Sequence, residues 1–136
     1  MEASRGQAWF LAAFLVGVAY GLIGWSFALP VSDVHAWRLA AWIVSGAVYV
    51  AHIGYEHFRP RSSPFLTALH VAVAVAIGAF ALGVAGMLHD LWTASTIRPV
   101  WLLALVVLPA VTALPAFLGG LVIGATLRRF SAERSP

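Results

Sequence analysis

The stretch RLAAWIVSGAVYVAHIGYEHFRPRSSPFLTALH, residues 38–70, joins two apolar runs through a turn that contains two prolines and two further arginines. Apolar runs on both sides of such a turn predict a helical hairpin that crosses a membrane twice. Its first arm carries polar and aromatic residues at alternating spacings of four and three, which places them on one side of a helix. They are Arg38, Trp42, Ser45, Tyr49, His52, Glu56 and Arg59.

The composition of the whole chain supports this membrane location. Its 136 residues are 62% hydrophobic and only 10% charged, with a mean hydropathy of +0.92. A soluble domain carries about 25% charged residues, and a chain with so few charges would expose large apolar patches to water. A lipid bilayer removes this difficulty because it solvates apolar side chains directly. The sequence therefore predicts a single-domain integral membrane protein.

Four apolar runs are long enough to cross a hydrocarbon core of about 30 Å at roughly 1.5 Å per residue. We place the spans at about residues 8–29, 36–58, 64–88 and 99–127. A secretory signal peptide is the rival interpretation of the first run, but no small-residue cleavage site follows Leu29. The expected fold is all-α, an integral membrane four-helix bundle with antiparallel, up-down-up-down topology.

The arginines are distributed unevenly between the two sides of this predicted bundle. Only Arg38 and Arg98 lie on the side opposite the termini. The positive-inside rule therefore predicts that both termini are cytoplasmic, with residues 128–136 as a polar tail, in the inner (plasma) membrane of a bacterium. The net charge of +3 then reflects orientation and does not indicate nucleic acid. Six arginines share the side of the termini: Arg5, Arg59, Arg61, Arg128, Arg129 and Arg134.

Small residues in the spans predict close helix packing. Gly17 and Gly24 share one face of the first span, and Gly120 and Gly124 form a Gly-x-x-x-Gly motif in the last. Pro109 and Pro115 lie inside the fourth span, where proline bends a helix. Because a bundle this small encloses little room, we expect a homo-oligomer or a subunit of a larger membrane complex, with the lipid bilayer as the common surrounding.

The polar residues within the hairpin are the first candidate site. Ionisable groups inside a span face the bundle interior or a wet cavity and mark functional sites. His52 lies six residues before Phe58 and His70 six after Pro64, so both are about 9 Å from the cytoplasmic end of the hairpin. His52 and Glu56 are one helical turn apart, within reach of a hydrogen bond. The predicted ligand or ion pathway consists of Ser45, Tyr49, His52, Glu56 and His70.

Three interpretations of these residues stay open. They could line a polar cavity for a small substrate, an ion or a proton. Alternatively, His52 and His70 could ligate haem b or another metal, with Glu56 as a ligand or supporting partner. In the third interpretation, the polar groups satisfy one another across helices and hold the bundle together.

A second candidate site lies on the extracytoplasmic side. Asp33 and His35 fall in the first predicted loop, and His89 and Asp90 fall in the third. Two histidines and two carboxylates could bind Zn²⁺ or a similar ion. Ordinary solvated loop residues and helix caps are the alternative, with Ser32 or Asp33 capping the second span.

No sequence motif indicates an enzyme. The chain has no cysteine, which excludes disulfides, thiolate ligands and iron–sulfur clusters. Nucleotide-binding loops, nucleophile elbows and zinc-protease motifs are also missing from the sequence. The expected function is a small polytopic inner-membrane protein of the binding, transport or channel type. A haem- or metal-binding redox subunit and a structural or assembly subunit of a membrane complex are the alternatives.

Overall fold

The computed structural model is all-helical, as the sequence predicts. It describes residues 2–26, 33–58, 63–94 and 96–132. These residues form four helices, each long and apolar enough to cross a membrane, so the chain has the fold of an integral membrane protein. In chain order they are α1 (Glu2–Ser26), α2 (Val34–His57), α3 (Pro64–Ala94) and α4 (Pro99–Ala132).

Several helices extend beyond the predicted spans. α3 continues to Ala94, so His89 and Asp90 are helical although we expected them in a loop. α4 continues to Ala132, which makes the start of the predicted tail helical as well. Backbone hydrogen bonding does not stop at the edge of the apolar run, because no proline or glycine interrupts either helix there. Residues 27–32, which include the end of the predicted first span, lie outside the described residues, as do residues 59–62 and 95 of the later connections and the tail from residue 133.

Polar side chains cap the two helices of the hairpin. The Asp33 carboxylate accepts a hydrogen bond from the backbone N–H of Ala36 at 3.2 Å, as the capping interpretation predicts. The Ser63 hydroxyl accepts one from the backbone N–H of Leu66 at 3.1 Å. Pro64 is the first residue of α3, where its missing N–H costs nothing.

α3 lies at the centre of the bundle and packs along α1 and α4. At the α1 contact, glycines let the two backbones approach closely. A Cβ atom on Gly17 would lie 2.6 Å from Cγ2 of Ile77, and one on Gly24 would lie 2.7 Å from Cδ2 of Leu82. The residue numbers at this contact therefore increase together along α1 and α3.

Along α3 and α4 the order of the contacts is reversed. Gly86 leaves room for the indole ring of Trp101, and a Cβ atom on Gly124 would lie 3.4 Å from Cα of Pro64. The start of α4 thus lies beside the end of α3, and its end lies beside the start of α3. α4 remains one continuous helix through Pro109.

α2 is the peripheral helix of the bundle. Its last turns are buried at Ile53, next to the candidate site. Its first half is exposed, with Trp42 78% and Ile43 64% accessible, and a Cβ atom on Gly46 would meet no atom within 4 Å. The polar face of α2 is therefore buried only near its C-terminal end.

Candidate functional site

A hydrogen-bonded acid and imidazole link α2 to α3. Nδ1 of His70 lies 3.0 Å from Oε2 of Glu56, and their side chains are only 14% and 2% exposed. With Glu56 ionised, its carboxylate can only accept, so the Nδ1–H of His70 donates to it. The spacing of His52 and Glu56 along α2 predicts a bond between these two, but the structure pairs Glu56 with His70.

Trp9 of α1 covers one face of the His70 ring. Its indole ring stacks on the imidazole ring with centroids 4.5 Å apart and an interplanar angle of 5°. Trp9 is a residue of this site that the polar pattern of the sequence does not indicate, although its depth in α1 does. Trp9 lies seven residues into α1 and His70 six residues into α3. Because the contacts between these helices increase in the same order, the two side chains lie at the same height along the bundle.

His52 lies beside this pair without a hydrogen-bonding partner. Its side chain is 5% exposed, and neither Nδ1 nor Nε2 has a partner. It is close enough to Glu56 and His70 to interact with both electrostatically. A buried polar group left unpaired costs about 1–3 kcal/mol, so His52 is unfavourable in this position as a purely structural residue.

Tyr49 and Ser45 extend the polar face of α2 away from His52. The Tyr49 hydroxyl donates to the backbone carbonyl of Ala116 on α4 at 2.6 Å. Gly119 allows this approach, because a Cβ atom there would lie 2.8 Å from the hydroxyl oxygen. Tyr49 therefore ties α2 to α4, and Ser45 is half-buried one turn further along. Tyr20 of α1 has a buried hydroxyl with no partner.

The four residues of the predicted extracytoplasmic site have separate roles. Asp33 caps its own helix, while His35 and His89 are exposed. The buried Asp90 carboxylate accepts from Nε and Nη2 of Arg98 at 2.6 and 2.8 Å. This bidentate contact raises the pKa of Arg98 further above its ordinary value, so the guanidinium stays charged.

No metal-binding geometry arises among the residues that the structure describes. Within residues 2–26, 33–58, 63–94 and 96–132, no three histidine, aspartate or glutamate side chains form a group that could hold a metal ion. This applies both to the extracytoplasmic residues and to His52, Glu56 and His70. The described side chains of Asp33, His35, His89 and Asp90 do not form such a group.

An apolar groove of about 830 Å³ lies elsewhere on the bundle. α1, α3 and α4 form it, and none of its lining residues comes from α2. It is therefore separate from the polar site. The residues that line it are Phe10, Phe14, Val73, Ala76, Ile77, Phe80, Leu105, Val106, Pro109, Ala110 and Ala113.

The fold and the site define a class: an integral membrane protein of four helices with a buried glutamate–histidine pair at one end. No protein family matches the sequence, and neither a curated protein nor a solved structure is significantly similar to it.

Proposed function

We propose that the chain is a small membrane protein of the binding, transport or channel type, which takes a small polar solute, an ion or a proton at His52, Glu56 and His70. One observation carries this proposal. His52 is buried beside a glutamate–histidine pair, and both of its ring nitrogens are free to bind. A ligand that donates to or accepts from this ring would remove the cost of its burial.

A purely structural role accounts for the site only in part. The Glu56–His70 hydrogen bond holds α2 on α3 and needs no ligand. His52 contributes no such bond, and an apolar side chain of similar size would fill its place without the cost of desolvation. The unpaired imidazole therefore favours a binding function over a packing function.

The proposed topology is up-down-up-down, with both termini in the cytoplasm of a bacterial cell and the helices in the inner membrane. Two observations support it. Contact positions run in the same order along α1 and α3 and in reverse order along α3 and α4. Arg128 and Arg129 are exposed near the end of α4, where the positive-inside rule predicts them. The polar site then lies at the cytoplasmic end of the bundle.

The decisive experiment compares solute movement in vesicles that contain the purified protein. Protons, Na⁺, K⁺ and ammonium are tested as separate probes. We expect at least one probe to cross faster than in protein-free vesicles, and we expect Glu56→Gln and His52→Leu to abolish the difference. His35→Gln, an exposed histidine on the same helix, serves as the matched control. Equal rates in wild-type, variant and protein-free vesicles for every probe contradict the proposal.

One observation favours the second candidate, a haem- or metal-binding redox subunit ligated by His52 and His70. The carboxylate that holds Nδ1–H of His70 leaves Nε2 as the acceptor nitrogen, and metal-bound histidines are oriented in this way. An absorption spectrum of the purified protein decides it. A Soret band lost in both His52→Leu and His70→Leu supports haem, and a spectrum without that band rejects it. Co-purification of a defined partner would instead support an assembly subunit.

A further inference from the structure

The geometry points to the proton as the species that this site binds, with His70 holding it between Glu56 and Trp9, and His52 exchanging it. This inference rests on the proposed function, because it names the ligand of the same site.

The two groups that contact the His70 ring both attract a positive charge. The Glu56 carboxylate lies 3.0 Å from Nδ1, at the edge of the imidazole ring. The indole of Trp9 covers one face at a centroid distance of 4.5 Å, and an indole face binds cations more strongly than any other side-chain ring does. An imidazolium at His70 would therefore have a favourable contact both at its edge and on its face.

The groups that the structure places against His70 carry no fixed positive charge. Glu56 and His52 face His70 from α2, and Trp9 faces it from α1. α4 contributes Gly120 beside the neighbouring Ala68, and glycine carries no side-chain charge. Of these groups only His52 can become cationic, so a proton on one imidazole disfavours a proton on the other.

The contacts of His70 leave no room for a larger ligand between its ring and Glu56 or Trp9. A hydrogen bond of 3.0 Å on one side and a parallel stack at 4.5 Å on the other leave no space for a solute between these groups. The described histidine and carboxylate side chains do not converge as three metal ligands. The apolar groove is lined by other residues. A proton needs no cavity, because it resides on a ring nitrogen.

His52 supplies the exchange step. A neutral imidazole has one N–H donor and one acceptor nitrogen. A proton that adds to the acceptor nitrogen of His52 gives an imidazolium. Loss of the other N–H proton then returns the neutral ring in its second tautomer, so no other bond forms or breaks. At His70, a proton that adds to Nε2 gives an imidazolium paired with the Glu56 carboxylate, and loss of that proton restores the neutral ring.

The test measures proton entry into vesicles that contain the full chain, a trapped pH-sensitive dye and an imposed K⁺ diffusion potential. We expect faster acidification than in protein-free vesicles, and we expect Glu56→Gln and His52→Leu to reduce it to the protein-free rate. Trp9→Leu should slow it roughly fivefold if the stack contributes about 1 kcal/mol, and Trp9→Phe should slow it less. Acidification at the protein-free rate, or equal rates in all variants, overturns the inference.

Two further measurements separate the possible failures. Movement of Na⁺, K⁺ or ammonium that depends on Glu56, without proton entry, would keep the proposed function and reject the proton. No movement of any probe would reject both. Wild-type protein with ¹⁵N-labelled histidine gives a readout that does not depend on a folded variant. We expect the ring N–H protons of His52 and His70 to exchange with protons of the solvent, and ring N–H protons that do not exchange at either histidine would overturn the inference.

Discussion

The imidazole ring of His70 lies flat against the indole ring of Trp9, with centroids 4.5 Å apart and an angle of 5° between the planes. The same imidazole donates Nδ1–H to Glu56. Because Trp9 belongs to α1 and Glu56 to α2, a single side chain of α3 fixes the other two helices at the same level. α2 has few contacts with the bundle, so its position depends on this hydrogen bond and on the bond from Tyr49 to Ala116 of α4.

Glu56→Ala should therefore destabilise the protein more than an ordinary truncation. Removing one partner of a buried pair leaves the other without its hydrogen bond, and the expected loss is about 3 kcal/mol in the free energy of unfolding. Glu56→Gln keeps an acceptor oxygen and should cost about 1 kcal/mol. Unfolding in detergent, followed by circular dichroism, measures both values. Equal stability of the two variants would show that the His70 bond does not hold α2.

The α1–α3 contact gives a second prediction. A Cβ atom on Gly78 would lie 2.5 Å from Cβ of Tyr20 and 3.0 Å from the carbonyl oxygen of Gly17. Neither atom belongs to a flexible side-chain end, so Gly78→Ala should push the helices apart and cost about 2 kcal/mol of unfolding free energy.

Gly46→Ala is the matched control for this substitution. A Cβ atom at Gly46 meets nothing within 4 Å, and alanine is the better helix former by up to about 1 kcal/mol. The same detergent unfolding assay should show Gly78→Ala destabilised and Gly46→Ala unchanged or slightly more stable. A loss of similar size in both variants would mean that α2 packs against something at Gly46.

The existence of the four helices follows from the sequence. Each apolar run is favourably solvated only by a bilayer, and a single chain segment in a bilayer must form a helix to satisfy its backbone hydrogen bonds. Their ends do not follow from it. A helix can continue into the headgroup region, as α3 does through His89 and Asp90 to Ala94. The apolar pattern reports where hydrocarbon ends and does not report where backbone hydrogen bonding ends.

The site could be anticipated only in part. Counting residues from the turn placed His52, Glu56 and His70 at one end of the bundle, and the structure brings them together there. The rotation of α3 about its axis decides which of them pair, and depth alone carries no information about rotation. Trp9 was missed for a related reason, since a tryptophan near a span end is usually an interfacial anchor.

The residues of the predicted extracytoplasmic site show that topology alone does not group side chains into a site. Asp33 and Asp90 lie on loops or helix ends that a bundle brings to one side, but each has a nearer partner. Asp33 binds the N–H of Ala36, three residues along the chain, and Asp90 binds Arg98, eight residues along. Local partners are reached with little loss of chain entropy, so they take precedence over a shared metal.

The absence of cysteine from the sequence makes the proposed topology directly testable. Thr96→Cys lies in the connection between α3 and α4, and Phe58→Cys lies at the end of α2 with 86% of the native side chain exposed. A membrane-impermeant maleimide applied to intact cells should label Thr96→Cys alone, and permeabilised cells should also label Phe58→Cys. The unmodified chain is the control for background. The reverse pattern would place both termini outside the cytoplasm.

His52→Leu separates a binding site from a structural polar cluster. Leucine fills a similar volume and removes two buried nitrogens that have no partner, so the free energy of unfolding should stay within about 1 kcal/mol of the wild-type value or rise. The vesicle assays should nevertheless lose activity, because the exchanging imidazole is gone. Detergent unfolding and flux are measured on the same preparation, with His35→Gln as the exposed histidine control. A strongly destabilised His52→Leu would instead mean that the imidazole has a hydrogen-bonding partner in the membrane and holds the bundle together.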